Sequence, residues 1–264
     1  MDHIEKAVAM LDLARSPFGH VEPKPDVTGE IEYTKSHIVA LSGAHLKKNR
    51  IITPETDKIT VNAYKVLRTR VLQQMQQNRW TALAITSPMP DEGKTLTAIN
   101  LSISLALKLD YTVLLVDLDF RKPSIHDRFG FEPNYGVSDY LAGRVQLEEV
   151  FINPGINRLL LLPERRVVSQ SSEILSSTGM EQLVAELKNR YPSRIIIFDL
   201  PPVLVGDDVL AFSNIADATL LVVQEGKTTT DDLNRTIGLL ENKNLIGTVL
   251  NRSSTTNEFS NYGY

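Results

Sequence analysis

The chain has 264 residues, of which 42% are hydrophobic and 23% charged, and this composition is ordinary for a soluble globular protein. The absence of Cys excludes disulfides, thiolate metal sites and cysteine nucleophiles, and the five scattered His lack ligand spacing, so we expect any metal to have oxygen ligands. A formal net charge of −4 gives no electrostatic reason to bind nucleic acid, and no apolar stretch approaches the roughly 18 residues of a membrane span.

The first 55 residues differ in character from the rest of the chain. The segment MDHIEKAVAMLDLARS predicts a short amphipathic helix, and the Pro/Gly/acid-rich SPFGHVEPKPDVTGE after it predicts a linker. We interpret residues 1–55 as an N-terminal extension that either docks on a partner or covers the sheet. A second helix is predicted at 59–77, with an apolar stripe at helical spacing formed by Tyr64, Leu67, Val71 and Met75. Another face of this helix, predicted to be solvated, carries Asn62, Lys65 and Arg68.

From residue 81 onward, short apolar runs alternate with segments of helical character such as KTLTAINLSISLALKL. The runs are TALAIT (81–86), TVLLVDLD (112–119), RLLLLP (158–163), RIIIFD (194–199), ATLLVVQ (218–224) and LIGTVLN (245–251). Continuous apolar runs are typical of parallel strands that are buried on both faces under helices. The alternation therefore predicts repeated βαβ units and a doubly wound α/β fold.

The segment SPMPDEGKT, Ser87–Thr95, lies between the first core strand and a helix. A strand, a loop, Gly-Lys-Thr and a helix form the context of a phosphate-binding loop, in which backbone N–H groups and the lysine face the phosphates. Pro88 stands where the common GxxxxGK[ST] pattern has its first Gly. The alternative is a turn that only caps the helix. A second Gly-Lys-Thr, 226–228, follows its strand after one residue, and we interpret it as a turn and helix N-cap.

Three Asp residues follow buried strands. Asp117 and Asp119 end the second strand in VDLDFRKP, and Asp199 ends another in IIIFDLPP. Each alone is typical of a turn or helix cap. Together, beside a phosphate loop and at the sheet edge where open α/β proteins collect ligands, they indicate a Mg²⁺ and nucleotide site.

These three segments in order, with SSEILSS before the last and VLNR near the end, resemble the bacterial tyrosine kinases of polysaccharide co-polymerase systems. The strongest likeness is to the exopolysaccharide tyrosine autokinases associated with exosortase loci, and it runs from about residue 59 to 253. The resemblance implies the doubly wound, mostly parallel sheet of a P-loop NTPase with an N-terminal helical extension. It further implies a kinase domain at 56–252 and a flexible tyrosine-bearing tail at 253–264.

Site roles follow from the resemblance. It implies that Lys94, Asp117, Asp119 and Arg121 are catalytic, with Asp117 as the base for the tyrosine hydroxyl. It implies ATP and Mg²⁺ as cofactors, with the metal held by Thr95, Asp119 and Asp199, and an acidic position of the family at Asp208. The nucleotide-binding residues that it implies are Met89, Pro90, Asp91, Glu92, Gly93, Lys94, Thr95, Leu96 and, near the adenine, Asn251.

Two positions depart from the family pattern. The family's Glu-x-x-Arg-x-x-Arg oligomerisation element is Asn62, Lys65 and Arg68 here, so we expect a monomer or weak oligomer. The family's tail carries a dense tyrosine cluster, whereas this tail ends in FSNYGY, with Tyr262 and Tyr264 as expected phosphoacceptors in trans.

The resemblance implies a cytoplasmic protein at the inner face of the membrane, held there by a chain-length determinant protein of the co-polymerase type. Two other functions stay open. One is a nucleotide-switch scaffold without kinase activity. The other is a partition-type ATPase, which normally has a Lys where Met89 stands here. Detection of phosphotyrosine after incubation with Mg-ATP separates the kinase from both.

Overall fold

The computed structural model describes residues 37–108, 111–190, 193–241 and 243–254. Within these ranges the strands are β1 (His37–Ile38), β2 (Ala82–Thr86), β3 (Thr112–Asp117), β4 (Ile152–Asn153), β5 (Leu159–Leu162), β6 (Arg194–Asp199), β7 (Ala218–Gln224) and β8 (Leu245–Asn251). The helices are α1 (Gly43–Lys48), α2 (Lys58–Asn78), α3 (Lys94–Ala106), α4 (Ile125–Phe129), α5 (Val137–Leu141), α6 (Leu147–Val150), α7 (Ser171–Leu175), α8 (Thr178–Arg190), α9 (Asp208–Phe212) and α10 (Thr230–Leu239). In these parts of the chain no helix combines the length and apolar character needed to cross a bilayer.

The strands form one sheet in the order β1-β4-β5-β3-β6-β2-β7-β8. Every pairing is parallel except that of β4 with β5. The six predicted strands are all present, and the predicted doubly wound, mostly parallel α/β fold is confirmed. The two-residue strands β1 and β4 were not predicted, since pieces this short carry no periodic signal.

Alternate residues of the central strands enter two separate cores. Leu83, Ile85 and Val113 pack with α2 and α3 on one face, while Ala84, Leu114 and Val116 pack with α7 and α8 on the other. Continuous apolar runs are required because both faces of these strands are covered.

Edge strand β8 departs from this rule. Its residues are half-buried or exposed, and Leu250 is 56% exposed. The prediction that LIGTVLN is buried on both faces is therefore wrong. An apolar run predicts a strand, but it does not distinguish a central position from an edge one.

Part of the predicted N-terminal extension packs on the domain. Leu46, Ile51 and Ile52 are buried in the same core as α3, and β1 extends the sheet by pairing with β4. The side chain of Asn100 on α3 fixes this segment by accepting the Ile52 N–H at 2.9 Å and donating to the Arg50 carbonyl at 3.0 Å. Chain before residue 56 thus contributes to the core, and the boundary at residue 56 stays a prediction. Residues 1–36, including the predicted first helix, lie outside the described part.

Helix α2 extends one residue beyond its predicted range at each end. Asp57 caps it by accepting the Thr60 N–H at 2.8 Å, and Val71 and Met75 of the predicted stripe are buried. Asn62 and Lys65 are exposed as predicted, but Arg68 is only half-exposed and donates to the Ser104 carbonyl at 2.7 Å. The interpretation of Arg68 as part of a solvated face is therefore wrong, because its guanidinium joins α2 to the end of α3.

We expect Asn100→Ala to lower the free energy of unfolding by about 2–4 kcal/mol, since it leaves the buried Ile52 N–H and the part-buried Arg50 carbonyl without partners. Asn78→Ala is the matched control, because that amide donates only to the Gln74 carbonyl at the exposed end of α2, and we expect a change within about 0.5 kcal/mol. Urea denaturation measures both. Equal losses in the two variants would contradict the docking role of Asn100.

Candidate functional site

The site lies where the carboxyl ends of β2, β3 and β6 meet. Strand β6 lies between β2 and β3, and Asp117 is opposite Asp199 in the β3–β6 register. The loop 87–93 leaves β2 at the same edge and enters α3. Strand order thus brings together the three features that the sequence places far apart.

The loop requires unusual backbone conformations. Asp91 and Gly93 both have positive φ, 61° and 100°, and Gly93 is the N-cap of α3. A Cβ on Gly93 would lie 1.9 Å from Asn251 Nδ2, so any other residue would displace that side chain and would also be strained at this positive φ. In this structure the group that closely approaches Gly93 is the side chain of Asn251.

Buried Glu92 holds the loop in shape. Its carboxylate accepts the Met89 N–H at 2.9 Å and the hydroxyl of Thr228. Its backbone carbonyl accepts Asn251 Nδ2 at 2.8 Å. We call these contacts of Glu92 with Met89, Thr228 and Asn251 the loop clasp. Thr228 therefore acts on the loop from the turn that follows β7, and Asn251 acts on it from the end of β8.

The second Gly-Lys-Thr takes part in the same arrangement. Gly226, with φ 71°, lies in a turn as predicted. Thr229, the next residue after the motif, is the N-cap of α10. Lys227 Nζ donates to the Pro90 carbonyl at 2.5 Å. Sequence analysis missed that this turn supports the phosphate loop, since no local pattern reports a contact between residues more than 130 positions apart.

The ammonium of Lys94 is nearly buried among oxygen atoms. Its Nζ lies 2.6 Å from Asp119 Oδ2, 3.5 Å from Asp199 Oδ1 and 3.2 Å from Thr95 Oγ1. Burial alone would lower the pKa of Lys94, but the charges of Asp199 and Asp119 outweigh it and raise the pKa above its ordinary value. Lys94 therefore stays charged.

The predicted base, Asp117, is fully buried and held by backbone N–H groups. Its Oδ1 accepts from Asp119 at 3.2 Å, and its Oδ2 accepts from Ser124 and Ile125, each at 3.0 Å. Burial and the charge of Asp199 raise the pKa of Asp117 well above its usual range. Burial also raises the pKa of Asp199, to about 6, although Lys94 opposes the shift.

Asp199 fits the requirement for a cation ligand. Its Oδ2 is buried without a hydrogen-bond partner, and Thr95 and Asp119 face the same ammonium. Buried carboxylate oxygens without a partner are rare in folded proteins. Within the described ranges no three His, Asp or Glu side chains converge as a metal cage. Mg²⁺ commonly takes one or two carboxylates and completes its shell with phosphates and water, and these residues suit that mode.

Arg121 pairs with Asp208 at the edge of the site. Its Nε donates to Asp208 Oδ2 at 2.7 Å, while Asp208 Oδ1 is buried without a hydrogen-bond partner. A Cβ on Gly206 would lie 2.5 Å from the Arg121 guanidinium and 2.7 Å from Asp208 Oδ2, so a larger residue there would displace this pair. The pair joins the segment after β3 to the first residue of α9.

The remaining predicted positions lie on or beside the loop. Asp91 is exposed and pairs with Lys122 at 3.3 Å, Pro90 is exposed, and Leu96 packs against the core. Tyr262 and Tyr264 fall outside the described residues, so their role stays a prediction.

The sequence matches known proteins over most of its length. Residues 83–262 match the family described as the CobQ/CobB/MinD/ParA nucleotide binding domain. The chain is 30% identical over 224 residues to the tyrosine-protein kinase YwqD of Bacillus subtilis, covering 84% of this chain and 93% of YwqD. It is also 30% identical over 193 residues to the tyrosine-protein kinase Etk of Escherichia coli, covering 72% of this chain and 26% of Etk.

Solved structures agree with these matches. The kinase domain of Etk aligns with a TM-score of 0.68 at 26% identity, covering 93% of this chain and 100% of that one. The chimerical protein CapA2B2 aligns with a TM-score of 0.70 at 25% identity, covering 83% of this chain and 94% of that one. The nucleotide-binding domain family matches more than half of the chain, and the match with the tyrosine kinase YwqD covers most of this chain and most of YwqD. This protein therefore belongs to the bacterial tyrosine kinases.

Proposed function

We propose that this protein is a Mg-ATP-dependent autokinase that transfers the γ-phosphoryl group to tyrosines of another copy of the chain. The observation that carries the proposal is the position of Lys94 Nζ, next to the N-terminus of α3 and within 3.5 Å of Thr95, Asp119 and Asp199. An ammonium on the flexible stem of a lysine at a helix N-terminus provides the positive charge that phosphates require. Phosphoryl transfer depends mostly on positioning and charge neutralisation, and this arrangement suits both.

Thr95, Asp119 and Asp199 are the proposed Mg²⁺ ligands. Bound Mg²⁺ supplies charge neutralisation at the β- and γ-phosphates. The N–H groups of the loop and the start of α3, from Met89 to Leu96, are proposed to bind the phosphate oxygens. Asn251, already fixed by its bond to Glu92, is proposed to border the adenine.

Asp117 is the proposed proton acceptor for the tyrosine hydroxyl. A free tyrosine has a pKa of about 10, so a carboxylate with a raised pKa is better matched to accept its proton. Three backbone hydrogen bonds hold Asp117 in position. Arg121, paired with Asp208, is proposed to order the segment that follows Asp119.

The proposed acceptors are Tyr262 and Tyr264, and the proposed process is control of exopolysaccharide polymerisation or export. Following the family resemblance, we place the protein in the cytoplasm at the inner face of the membrane, bound to a co-polymerase of the chain-length determinant type. The acceptor assignment is supported by the position of two of the chain's eight Tyr within its last three residues.

Lys94→Met tests the proposed function. Removal of the ammonium is expected to lower autophosphorylation by at least about 10²-fold, the scale of a lost transition-state charge contact. Phosphotyrosine formed from Mg-ATP is measured by immunoblot, with the exposed Lys48→Met as the matched control. Equal activity of Lys94→Met and the control would reject the proposed role of the loop.

Thr228→Val tests the loop clasp. The isosteric change leaves one oxygen of the buried Glu92 carboxylate without its hydroxyl partner, and we expect nucleotide affinity to fall by about tenfold. Titration with a fluorescent ADP analogue measures the affinity, and Thr230→Val, on the exposed first turn of α10, is the control. If both variants bind as the wild type does, the clasp does not shape the site.

The double variant Tyr262→Phe/Tyr264→Phe tests the acceptor assignment. We expect it to lose most phosphotyrosine while nucleotide hydrolysis is kept, because the aromatic rings remain and only the acceptor oxygens are lost. Peptide mass spectrometry locates the phosphate, and Tyr135→Phe, at an exposed tyrosine, is the control. Phosphate found only on other tyrosines would reject the tail as substrate and leave the kinase assignment intact.

Self-association of the isolated chain is expected to be weak. Asn62 has no charge, Lys65 lacks the planar fork of Arg, and Arg68 is engaged by the Ser104 carbonyl. We therefore expect a monomer or a concentration-dependent oligomer by light scattering at micromolar concentration. A stable ring without a partner protein would contradict this expectation.

A further inference from the structure

A cluster of three arginines lies outside the nucleotide site and meets at one buried carboxylate. Asp139 Oδ1 contacts Arg144 NH1 at 2.9 Å and Arg166 NH2 at 3.3 Å, and its Oδ2 contacts Arg165 Nε at 3.0 Å. The Gly136 N–H also donates to Oδ2, at 3.1 Å. Although burial opposes ionisation, the bonds from Gly136 and Arg144 lower the pKa of Asp139 below its usual value. The carboxylate is therefore charged and orients the guanidinium groups.

The cluster carries excess positive charge. Glu164 is the second buried carboxylate, and it accepts backbone N–H groups of Ser138, Arg165 and Arg166 at 2.8 to 3.2 Å. Three guanidinium groups against two carboxylates leave a formal charge of +1 (3 − 2). The bonds to Asp139 engage one nitrogen atom each of Arg144 and Arg166, whose side chains are 58% and 49% exposed. Because a guanidinium has five N–H donors, both keep donors for an anion.

A cavity of about 260 Å³ opens beside these arginines. Its walls combine charged, hydroxyl and apolar groups: Arg144, Arg166, Ser138, Ser169, Val167 and Ile174. The Ser138 Oγ atom is buried without a hydrogen-bond partner, and Val167 is 68% exposed at the opening. We call this cavity the arginine pocket.

The arginine pocket is joined to the catalytic edge of the sheet. The Val168 N–H, in its wall, donates to the Phe120 carbonyl at 2.9 Å, and Phe120 follows Asp119 in the chain. Guanidinium and hydroxyl donors suit a phosphate group, and the apolar walls suit an aromatic ring. A phosphorylated tyrosine has both parts, and it is the product of a tyrosine kinase.

We propose that the arginine pocket binds the phosphotyrosyl side chain of a peptide, with Arg144, Arg166 and Ser138 as phosphate donors. This inference rests on the proposed function, since it gives the kinase a binding site for its own product. Arg165 serves to hold Asp139 in place. A phosphorylated chain is thereby retained beside the active site after transfer.

The test measures binding of a synthetic peptide, NEFSNpYGY, and of its unphosphorylated form by fluorescence anisotropy without ATP. We expect the phosphorylated peptide to bind at least about tenfold more tightly to the wild type, and Arg144→Gln/Arg166→Gln to abolish the difference. Arg235→Gln, at an exposed position of α10 near the opposite edge of the sheet, is the control. Because no phosphoryl transfer is needed, failure of this test leaves the proposed function intact, and absence of autophosphorylation leaves the pocket intact.

A second variant tests the pocket independently, in case the double arginine variant does not fold. Ser169→Glu adds a carboxylate at an exposed position of the pocket wall and leaves every contact of Asp139 in place. We expect it to remove phosphopeptide binding with an unchanged thermal midpoint. Equal binding of both peptides to the wild type, or full binding to Ser169→Glu, would overturn the proposal. So would binding of an acidic oligosaccharide at this pocket in place of the phosphopeptide.

Discussion

One ammonium group lies among three buried carboxylates at the carboxyl edge of the sheet. Lys94 contacts Asp119 and Asp199 directly, and Asp117 lies opposite Asp199 in the strand register. One positive and three negative groups leave a formal charge of −2 (1 − 3). Burial and this excess of negative charge raise the pKa values of Asp117 and Asp199. This excess of negative charge supports the proposed binding of a divalent cation at the site.

The rest of the fold keeps these groups in place. Parallel pairing of β3 with β6 brings two of the carboxylates together, and β2, on the other side of β6, positions the loop. The loop has two residues with positive φ and depends on contacts from the turn after β7 and from β8 to hold that shape. Glu92 is at the centre of these contacts, because it is buried and bonded through both its side chain and its backbone.

Much of this arrangement can be predicted from the sequence because the signals are local. Continuous apolar runs predict β2, β3, β5, β6, β7 and β8, and the Gly-Lys-Thr between a strand and a helix predicts the loop. Local patterns do not predict three other features: the exposure of β8, the packing of residues 37–52 and the bond of Arg68 to α3. Each of these depends on neighbours that are distant in sequence. The role of Thr228 was missed for the same reason. The arginines around Asp139 meet because α5 and the segment after β5 lie side by side.

We propose that Lys94 exchanges its carboxylate partners for phosphates on a loop whose shape is already set. A crystal structure with Mg²⁺ and a non-hydrolysable ATP analogue measures this exchange. We expect Lys94 Nζ to leave Asp119 for the β- and γ-phosphate oxygens, while the contacts of Glu92 with Met89, Thr228 and Asn251 persist. A nucleotide bound away from Lys94, or a loop rebuilt with Glu92 released, would contradict this proposal.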